Sequence, residues 1–248
     1  MGRDRPPGEP GPPGVPRRPG APEGPGAPGR PGEPGGAGAG VPPLLVACAL
    51  GIERLALRGG GERGGAPGPV RVVRTGMGPA HAARGVERAL AREGWAGAAV
   101  IASGFCAGLA PGMHPGDLVV AEETRGPGGP LACDGTDLLV KALARAVPGR
   151  TVHTGPLTGS DHVVRGPERA ALAAGGAIAV DMESAATLRT ARAAGPRPLA
   201  AVRVVVDAPE HELVRIGTVR GGISAFRVLR AVLPAFFEWH RSLLLPRR

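Results

Sequence analysis

Apolar residues occur along this chain as short runs, the first of which begins at Pro43. Runs of strand length predict buried β-strands at 43–49, 70–74, 98–102, 117–121, 152–157, 177–181 and 199–206. Helical spacing of apolar residues predicts helices at 80–92, 136–146, 167–174 and 182–194. A last predicted helix covers 223–245, and Pro234 should kink it.

Strands that are apolar along their whole length and alternate with helices indicate a sheet that is buried on both faces. Helices must then cover both sides of that sheet. The predicted fold class is α/β, a three-layer α/β/α sandwich around a central mixed, mostly parallel sheet. Ligands of such sheets bind beyond the strand ends. The candidate functional residues named below lie at strand ends or just after them.

Residues 1–40 differ from the rest because they consist mainly of Gly, Pro, Ala, Arg and Glu. Glycine recurs at every third position from Gly8 to Gly38, with Arg17 and Glu23 interrupting the series. A collagen triple helix needs Gly at every third position, so these interruptions favour a solvated polyproline-type coil instead. We therefore expect a disordered Gly/Pro-rich tail at 1–40 and one folded domain at 41–248.

The net charge of +9 would suit a nucleic-acid partner, but its distribution argues against one. From Leu213 to Arg248 there are seven Arg and a single acid, Glu238, which is a net +6. Residues 1–40 carry five Arg and four acids, a net +1, so residues 41–212 hold the remaining +2. The body of the chain is nearly neutral, and we predict no nucleic-acid binding.

Three cysteines, Cys48, Cys106 and Cys133, lie far apart, with no Cys-x-x-Cys pair and no His at a ligand spacing. They predict reduced thiols, and the sequence predicts neither a metal site nor a cofactor. No apolar run approaches the roughly 18 residues that a membrane span needs. The N-terminus also lacks the apolar region of a signal peptide. We therefore expect a cytoplasmic protein.

A glycine pair after the second predicted strand invites comparison with a dinucleotide-binding turn. Gly76 and Gly78 follow the strand and open a helix, but the sixth position of the pattern, where Gly or Ala is needed, is His81. We set the dinucleotide interpretation aside. The two glycines more plausibly let the backbone approach a small ligand closely.

Five segments, in order, resemble one known family. They are 49–53 (ALGIE), 75–78 (TGMG), 103–109 (SGFCAGL) with 115–120 (PGDLVV), 179–184 (AVDMES) and 202–207 (VRVVVD). Together they resemble the nucleoside phosphorylase superfamily, closest to the methylthioadenosine/adenosylhomocysteine nucleosidases. The hopanoid-associated phosphorylases, which act on a lipid-carrying nucleoside, share a segment like 181–184. The resemblance runs from about Leu44 to Asp207.

The resemblance implies cleavage of the bond between a purine base and a ribose. That reaction leaves an electron-rich base and a cation-like sugar, so it needs an acid at the base and negative charge near the ribose. By resemblance, Asp207 protonates the base, Glu53 activates the attacking water and Glu183 binds the ribose hydroxyls. The ligand is then a small purine nucleoside of adenosine type.

Other positions matching the family are expected to shape the pocket. Met182 would pack against the sugar, and His162 and Val163 would border the base. The glycines Gly76 and Gly78 and a turn at Ser103 and Gly104 would form the floor near the nucleophile. Two positions depart from the family: Phe105 is often small or polar there, and Val206 replaces a usual polar residue, which puts adenine preference in doubt.

Three alternatives stay open. Phosphorylases of the superfamily carry an arginine just before the glycine turn, where this chain has Ala102, so water is favoured over phosphate as the nucleophile. Phosphorolysis, including that of a lipid-linked adenosine, is the second interpretation, and a catalytically silent nucleoside-binding module is the third. Taken singly, Glu53 fits a solvated helix-start charge, Glu183 a helix cap and Asp207 a turn residue.

The C-terminal predicted helix has an apolar face with arginines around it. Such a helix most simply packs on the core or against another subunit, which is the arrangement the family favours. The alternative is contact with an anionic membrane surface. The resemblance also implies a homodimer.

Overall fold

In the computed structural model, the described parts of the chain are residue 1 and residues 41–59, 65–208 and 218–245, without the side chains of 218–222. The tail predicted at 1–40 lies, apart from residue 1, outside them. Strands and helices follow in this order: β1 Leu44–Cys48, α1 Gly51–Gly59, β2 Val70–Arg74, α2 Pro79–Leu90, β3 Ala99–Gly108, β4 Leu118–Gly126, β5 Gly129–Ala132, α3 Thr136–Ala146, β6 Val152–Gly159, α4 Pro167–Ala174, β7 Ala179–Asp181, α5 Ser184–Ala193, β8 Leu199–Asp207, α6 Thr218–Ala231 and α7 Leu233–Leu244.

The strands form one mixed sheet that is mostly parallel. Parallel pairings join β1 to β2 and β3, β3 to β8, and β6 to β4 and β7. Antiparallel pairings join β3 to β7, and β4 to β5 and β8. The ends of β3, β7 and β8 are thereby brought side by side. The predicted fold class is confirmed.

Alternate residues of the central strands are buried against different helices. In β1, Leu44, Val46 and Cys48 belong to an apolar cluster with α1, α3, α6 and α7. Leu45 and Ala47 belong to a second cluster with α2 and α5. The same alternation continues along β3 and β8. Both faces of the sheet are therefore covered, which is why the strand runs carry no polar face.

One predicted boundary is wrong: Ser103 and Gly104 do not form a turn after β3. The strand continues to Gly108, paired in register with β8 from Val100 to Cys106. Gly104 keeps the strand extended with a φ of +147°, a value that side-chain-bearing residues avoid. The end of the apolar run was mistaken for the end of the strand.

Helix α1 and strand β5 were not predicted. The first is nine residues long, and the second completes a hairpin with β4 through a turn at Pro127 and Gly128, where Gly128 has a φ of +92°. At the C-terminus, the predicted kink is a break: α6 ends at Ala231, and Pro234 lies in the first turn of α7, where its missing N–H costs nothing.

The apolar face of α6 and α7 is part of the core. Leu229, Phe236 and Trp239 are fully buried in the cluster that covers one face of the sheet. The favoured interpretation was a terminal helix packed on the core or against another subunit, and the described side chains pack on the core. No helix of the described ranges combines the length and the apolar character needed to cross a membrane.

All three cysteines are free thiols, as predicted. Burial is the main reason why the pKa of Cys48 rises to about 12, and the carboxylate of Glu53 adds to the effect. Burial likewise raises the pKa of Cys106. Such thiols are protonated and unreactive at neutral pH.

Candidate active site

One cavity lies where β3, β7 and β8 end beside the start of α1. Seven of the residues predicted from the sequence line it, although they come from distant parts of the chain: Glu53, Phe105, His162, Val163, Met182, Glu183 and Asp207. Three of the seven are carboxylates. The cavity therefore brings together the acidic side chains that the resemblance assigned to one reaction.

Four predicted residues stand behind the lining instead of in it. Gly78 donates its N–H to Glu183 at 2.8 Å, and Gly76 has a φ of +100° in the same turn. Ser103 is fully buried, and its hydroxyl has no hydrogen-bond partner in the described part of the chain. Gly104 lies directly against Glu53. Gly78 and Gly104 thus contact the carboxylates Glu183 and Glu53.

Glu53 is held by three backbone N–H groups. Its Oε2 atom accepts from Ala49 and Leu50, each at 2.8 Å, and its Oε1 atom accepts from Phe105 at 2.8 Å. The first two bonds cap the start of α1, and the third ties α1 to β3. The side chain is only 2 % exposed. The interpretation of Glu53 as a solvated helix-start charge is therefore wrong in one respect, because the carboxylate is buried. It does support the start of the helix.

Glu183 occupies the cap position of α5 without capping it. Its side chain makes no cap hydrogen bond, and its Oε1 atom instead accepts the N–H of Gly78. The cap bonds come from Asp181, whose carboxylate accepts the N–H and the hydroxyl of Ser184. Burial raises the pKa of Glu183, and the guanidinium of Arg203 opposes that shift. The helix-cap interpretation of Glu183 is thus wrong.

A buried guanidinium, Arg203, stands among these acids. It is 1 % exposed; its Nε lies 2.6 Å from Asp181 Oδ2 and donates to Ser184 Oγ at 2.9 Å. Its Nη1 is 3.9 Å from Glu183 Oε2 and has no hydrogen-bond partner in the parts of the chain described. Burial works against the charged form, but neighbouring carboxylates, Asp181 first, raise the pKa of Arg203 above its ordinary value.

Asp207, at the end of β8, is paired with an arginine from α4. Its Oδ2 atom accepts from Arg169 Nη1 at 2.7 Å, and Arg169 Nη2 donates to the carbonyl of Gly108 at 2.7 Å. The other oxygen, Oδ1, is buried and has no partner within the described ranges. Asp207 thus lines the cavity with one oxygen paired to Arg169 and the other without a partner among the residues described.

Sequence reasoning missed Asp181, Arg169 and Arg203 as parts of this site. A signal existed for Arg203, because an arginine inside an apolar strand is buried and needs carboxylate partners. Asp181 opens the quoted segment 181–184 and could have been found with it. Arg169 lies in a helix of ordinary surface composition, and nothing in the sequence distinguishes it.

Part of the cavity lining is apolar. Val163, Val180 and Val206 line it. His162 at its edge pairs with Asp161 Oδ1 at 2.7 Å and with Glu168 Oε2 at 3.0 Å. The hydrogen bond to Asp161, followed by that to Glu168, raises the pKa of His162. An apolar slot beside a free carboxylate oxygen suits a flat heterocycle with a polar edge.

The sequence profile described as the phosphorylase superfamily matches residues 63–234, which is more than half of the chain. No curated protein sequence matches.

Solved structures show the same fold at low sequence identity. The 5′-methylthioadenosine/S-adenosylhomocysteine nucleosidase of Neisseria meningitidis with methylthio-immucillin-A has a TM-score of 0.66 and 22% identity, over 81% of this chain and 99% of that one. S-adenosylhomocysteine nucleosidase of Streptococcus pyogenes with 5-methylthiotubericidin gives 0.65 and 21%, over 81% and 98%. Futalosine hydrolase of Helicobacter pylori gives 0.63 and 16%, over 82% and 99%.

Proposed function

The chain belongs to the phosphorylase superfamily, and on that basis we propose that it is a nucleosidase that hydrolyses the N-glycosidic bond of a purine nucleoside. The observation that carries this proposal is the meeting of Glu53, Glu183 and Asp207 in one cavity. Each is held by a different set of contacts, and each matches one requirement of the reaction. Glycoside cleavage needs an acid for the leaving group, a base for water and negative charge near the forming cation.

Asp207 supplies the proton. Its buried, unpaired Oδ1 atom is the oxygen available to a base seated against Val206. When the C1′–N9 bond breaks, its electron pair moves into the purine ring, and N7 takes the proton from Asp207. Without that proton the departing base would carry a full negative charge, so general acid catalysis lowers the barrier.

Glu53 accepts the proton of the attacking water. As the water oxygen bonds to C1′, one of its protons passes to the Glu53 carboxylate, which the N–H groups of Ala49, Leu50 and Phe105 hold in place. The reaction consumes one water and yields the free base and ribose. Asp207 ends ionised and Glu53 protonated, and solvent exchange restores both.

Glu183 and Met182 position the ribose in this proposal. Gly78 fixes Glu183 Oε1, which leaves Oε2 for the sugar hydroxyls. The negative charges of Glu183 and Glu53 also favour the cation-like sugar that forms at the transition state. Phe105 and Met182 cover the sugar and keep bulk water away.

The charges around the cavity favour water over phosphate as the nucleophile. The lining in the described part of the chain includes Glu53, Asp181, Glu183 and Asp207 but no Arg or Lys. Arg203 stands behind two of these acids and is already paired with Asp181. A phosphate would bring about two negative charges into a cavity lined by four carboxylates. We therefore place phosphorolysis second.

We propose an adenosine-type substrate with a 5′ substituent. The similar nucleosidases were solved with purine nucleoside analogues, methylthio-immucillin-A and 5-methylthiotubericidin. Val206, in place of the usual polar residue, offers the base no hydrogen bond from its side chain, so base selectivity rests on the Asp207 oxygen. We also expect a cytoplasmic homodimer.

The test is an assay of base release. Purified protein is incubated with methylthioadenosine, adenosylhomocysteine, a futalosine-type nucleoside and a lipid-linked adenosine, each with and without phosphate, and the products are separated by chromatography. We expect free base and free pentose at a rate that phosphate leaves unchanged. Asp207→Asn should lower kcat about 100-fold or more. Pentose 1-phosphate as the product would establish phosphorolysis, and tight binding without release would establish a silent module.

A further inference from the structure

We propose that Arg169 is a positioning residue for Asp207: it fixes one oxygen of that carboxyl and stabilises the charge that forms as the other oxygen gives its proton to the base. This inference rests on the proposed function, because it assigns Arg169 a role in the same proton transfer. Nothing in the sequence pointed to Arg169, which is carried by helix α4.

The Arg169 guanidinium bonds to the ends of two strands at once. Arg169 Nη1 donates to Asp207 Oδ2, and Nη2 donates to the carbonyl of Gly108, both at 2.7 Å. These two acceptors lie at the ends of β8 and β3, which pair side by side. Because the guanidinium is rigid and planar, two bonds to separate strands fix its orientation. The Asp207 carboxyl cannot turn without breaking one of them.

The ion pair between Arg169 and Asp207 is largely buried. The Arg169 and Asp207 side chains are only 12% and 14% exposed, so little water screens their attraction. With Oδ2 occupied, Oδ1 is the oxygen left for a substrate, and it is buried with no partner among the residues described. The pairing therefore directs the free oxygen as well as holding the bound one.

Negative charge develops on Asp207 during the proposed reaction. In the proposed reaction, Oδ1 is the oxygen that gives its proton to the base. As N7 takes the proton and the C1′–N9 bond breaks, the carboxyl becomes a carboxylate beside the Arg169 cation. A cation already in place where negative charge develops stabilises the transition state more than the ground state. Arg169 should therefore act on kcat more than on KM.

Helix α4 packs Leu172 and Ala173 against a small apolar cluster and makes polar contacts with its first turn. None of its residues is fully buried. Its first turn carries Glu168, which pairs with His162 on the cavity wall, and Arg169, which pairs with Asp207. The first turn of α4 thus contacts both His162, which borders the base in the proposed function, and Asp207, which protonates it.

The test compares two substrates that differ in their need for an acid. One is the purine nucleoside that the wild type cleaves best; the other is 4-nitrophenyl β-D-ribofuranoside, whose nitrophenolate leaves without being protonated. The variant is Arg169→Ala. The matched control is Arg125→Ala, because Arg125 also bonds one carboxylate, Glu123 at 2.6 Å, and one carbonyl, Gly175 at 2.7 Å, but does not line the cavity.

For Arg169→Ala we expect kcat on the nucleoside to fall about 10- to 100-fold, with KM changed less than about 3-fold. The rate on the nitrophenyl riboside should change less than about 3-fold. Added guanidinium should restore part of the nucleoside activity of this variant, and Arg169→Lys should retain part of it. Arg125→Ala should leave both rates near those of the wild type. If Arg169→Ala does not fold, Arg169→Gln, which keeps a donor but no charge, carries the same comparison.

An equal fall on both substrates would show that Arg169 serves only the structure and would overturn the inference. Unchanged nucleoside kcat would overturn it as well, while leaving the proposed function intact. A wild type that releases no base or nitrophenol would instead overturn the proposed function, and the inference with it.

Discussion

Gly104, in β3, leaves room for the Glu53 carboxylate and the Arg203 guanidinium to lie directly against the strand. A Cβ atom there would lie 2.7 Å from Glu53 Cδ and 2.7 Å from Arg203 Nη1. Real Cβ atoms do not approach so closely. The Glu53 carboxylate occupies the space that a side chain at position 104 would fill, and there it accepts the N–H of Phe105. A glycine quoted as part of a turn proves to be a packing requirement inside a strand.

Replacing Gly104 by Ala should therefore damage both the site and the fold. The added methyl must displace Glu53 or Arg203, both nearly fully buried. We expect a loss of about 1–3 kcal/mol in the free energy of unfolding and a fall in kcat of about 10-fold or more, because the base for water is misplaced. Urea denaturation and steady-state kinetics measure the two effects.

Gly149→Ala is the matched control for this substitution. Gly149 has a φ of +80° but no neighbouring atom within 4 Å of the added Cβ. The Gly149→Ala variant should have a free energy of unfolding about 1 kcal/mol lower, through backbone strain alone, and should keep its activity. If Gly104→Ala behaves like Gly149→Ala in both measurements, close packing against Glu53 is not what Gly104 provides.

At the scale of elements, the local hydrophobic pattern predicted that a strand is present better than it predicted the residue at which the strand ends. β3 was expected to stop where its apolar run stops at Ala102, but pairing with β8 carries it on to Gly108. Helix α1 was not predicted, since nine residues form a stable helix only when tertiary contacts support them, here the burial of Ala56 and Leu57. Both misses come from long-range contacts that a local window does not contain.

The two C-terminal helices carry a buried histidine with a testable consequence. His240 in α7 is 1% exposed, and its ring nitrogens have no partner within the described ranges. Burial lowers its pKa below the ordinary value of 6.5. The unfolded chain therefore binds a proton near pH 6.5 while the folded chain does not. Protonation of this ring therefore costs no unfolding free energy above pH 6.5. Below pH 6.5 the free energy of unfolding decreases as the pH falls toward the lowered pKa of the folded state.

His240→Phe should remove this pH dependence. Lowering the pH from 7.5 to 5.5 should cost the wild type about 1 kcal/mol more of unfolding free energy than it costs the variant. Chemical denaturation at the two pH values measures the difference. His81→Gln, at an exposed position of α2, should behave like the wild type. A variant that loses as much stability as the wild type would show that His240 already carries a partner or a charge in the fold.

At the scale of the molecule, five separated segments predicted the family and the fold, whereas the contacts between them were beyond the sequence. Glu53, Glu183 and Asp207 could be named because each belongs to a segment with a recognisable order of residues. Arg169 could not, since its role depends on where α4 lies relative to the end of β8. The lining of the cavity is acidic although the chain as a whole carries a net charge of +9.

The boundary predicted at residue 40 is a hypothesis about the whole molecule that truncation can test. Core burial begins with Leu44 and Leu45, both fully buried, only a few residues after the Gly/Pro-rich composition ends. A segment with almost no large apolar side chains has little to contribute to that core. Deleting residues 2–40 should therefore leave kcat/KM within about 2-fold and the thermal midpoint within about 2 °C of the full chain. Extending the deletion to residue 46 removes Leu44 and Leu45 from β1, and each buried leucine that is lost costs about 2–5 kcal/mol. A shorter deletion that already abolishes activity or folding would mean that the domain begins before residue 41.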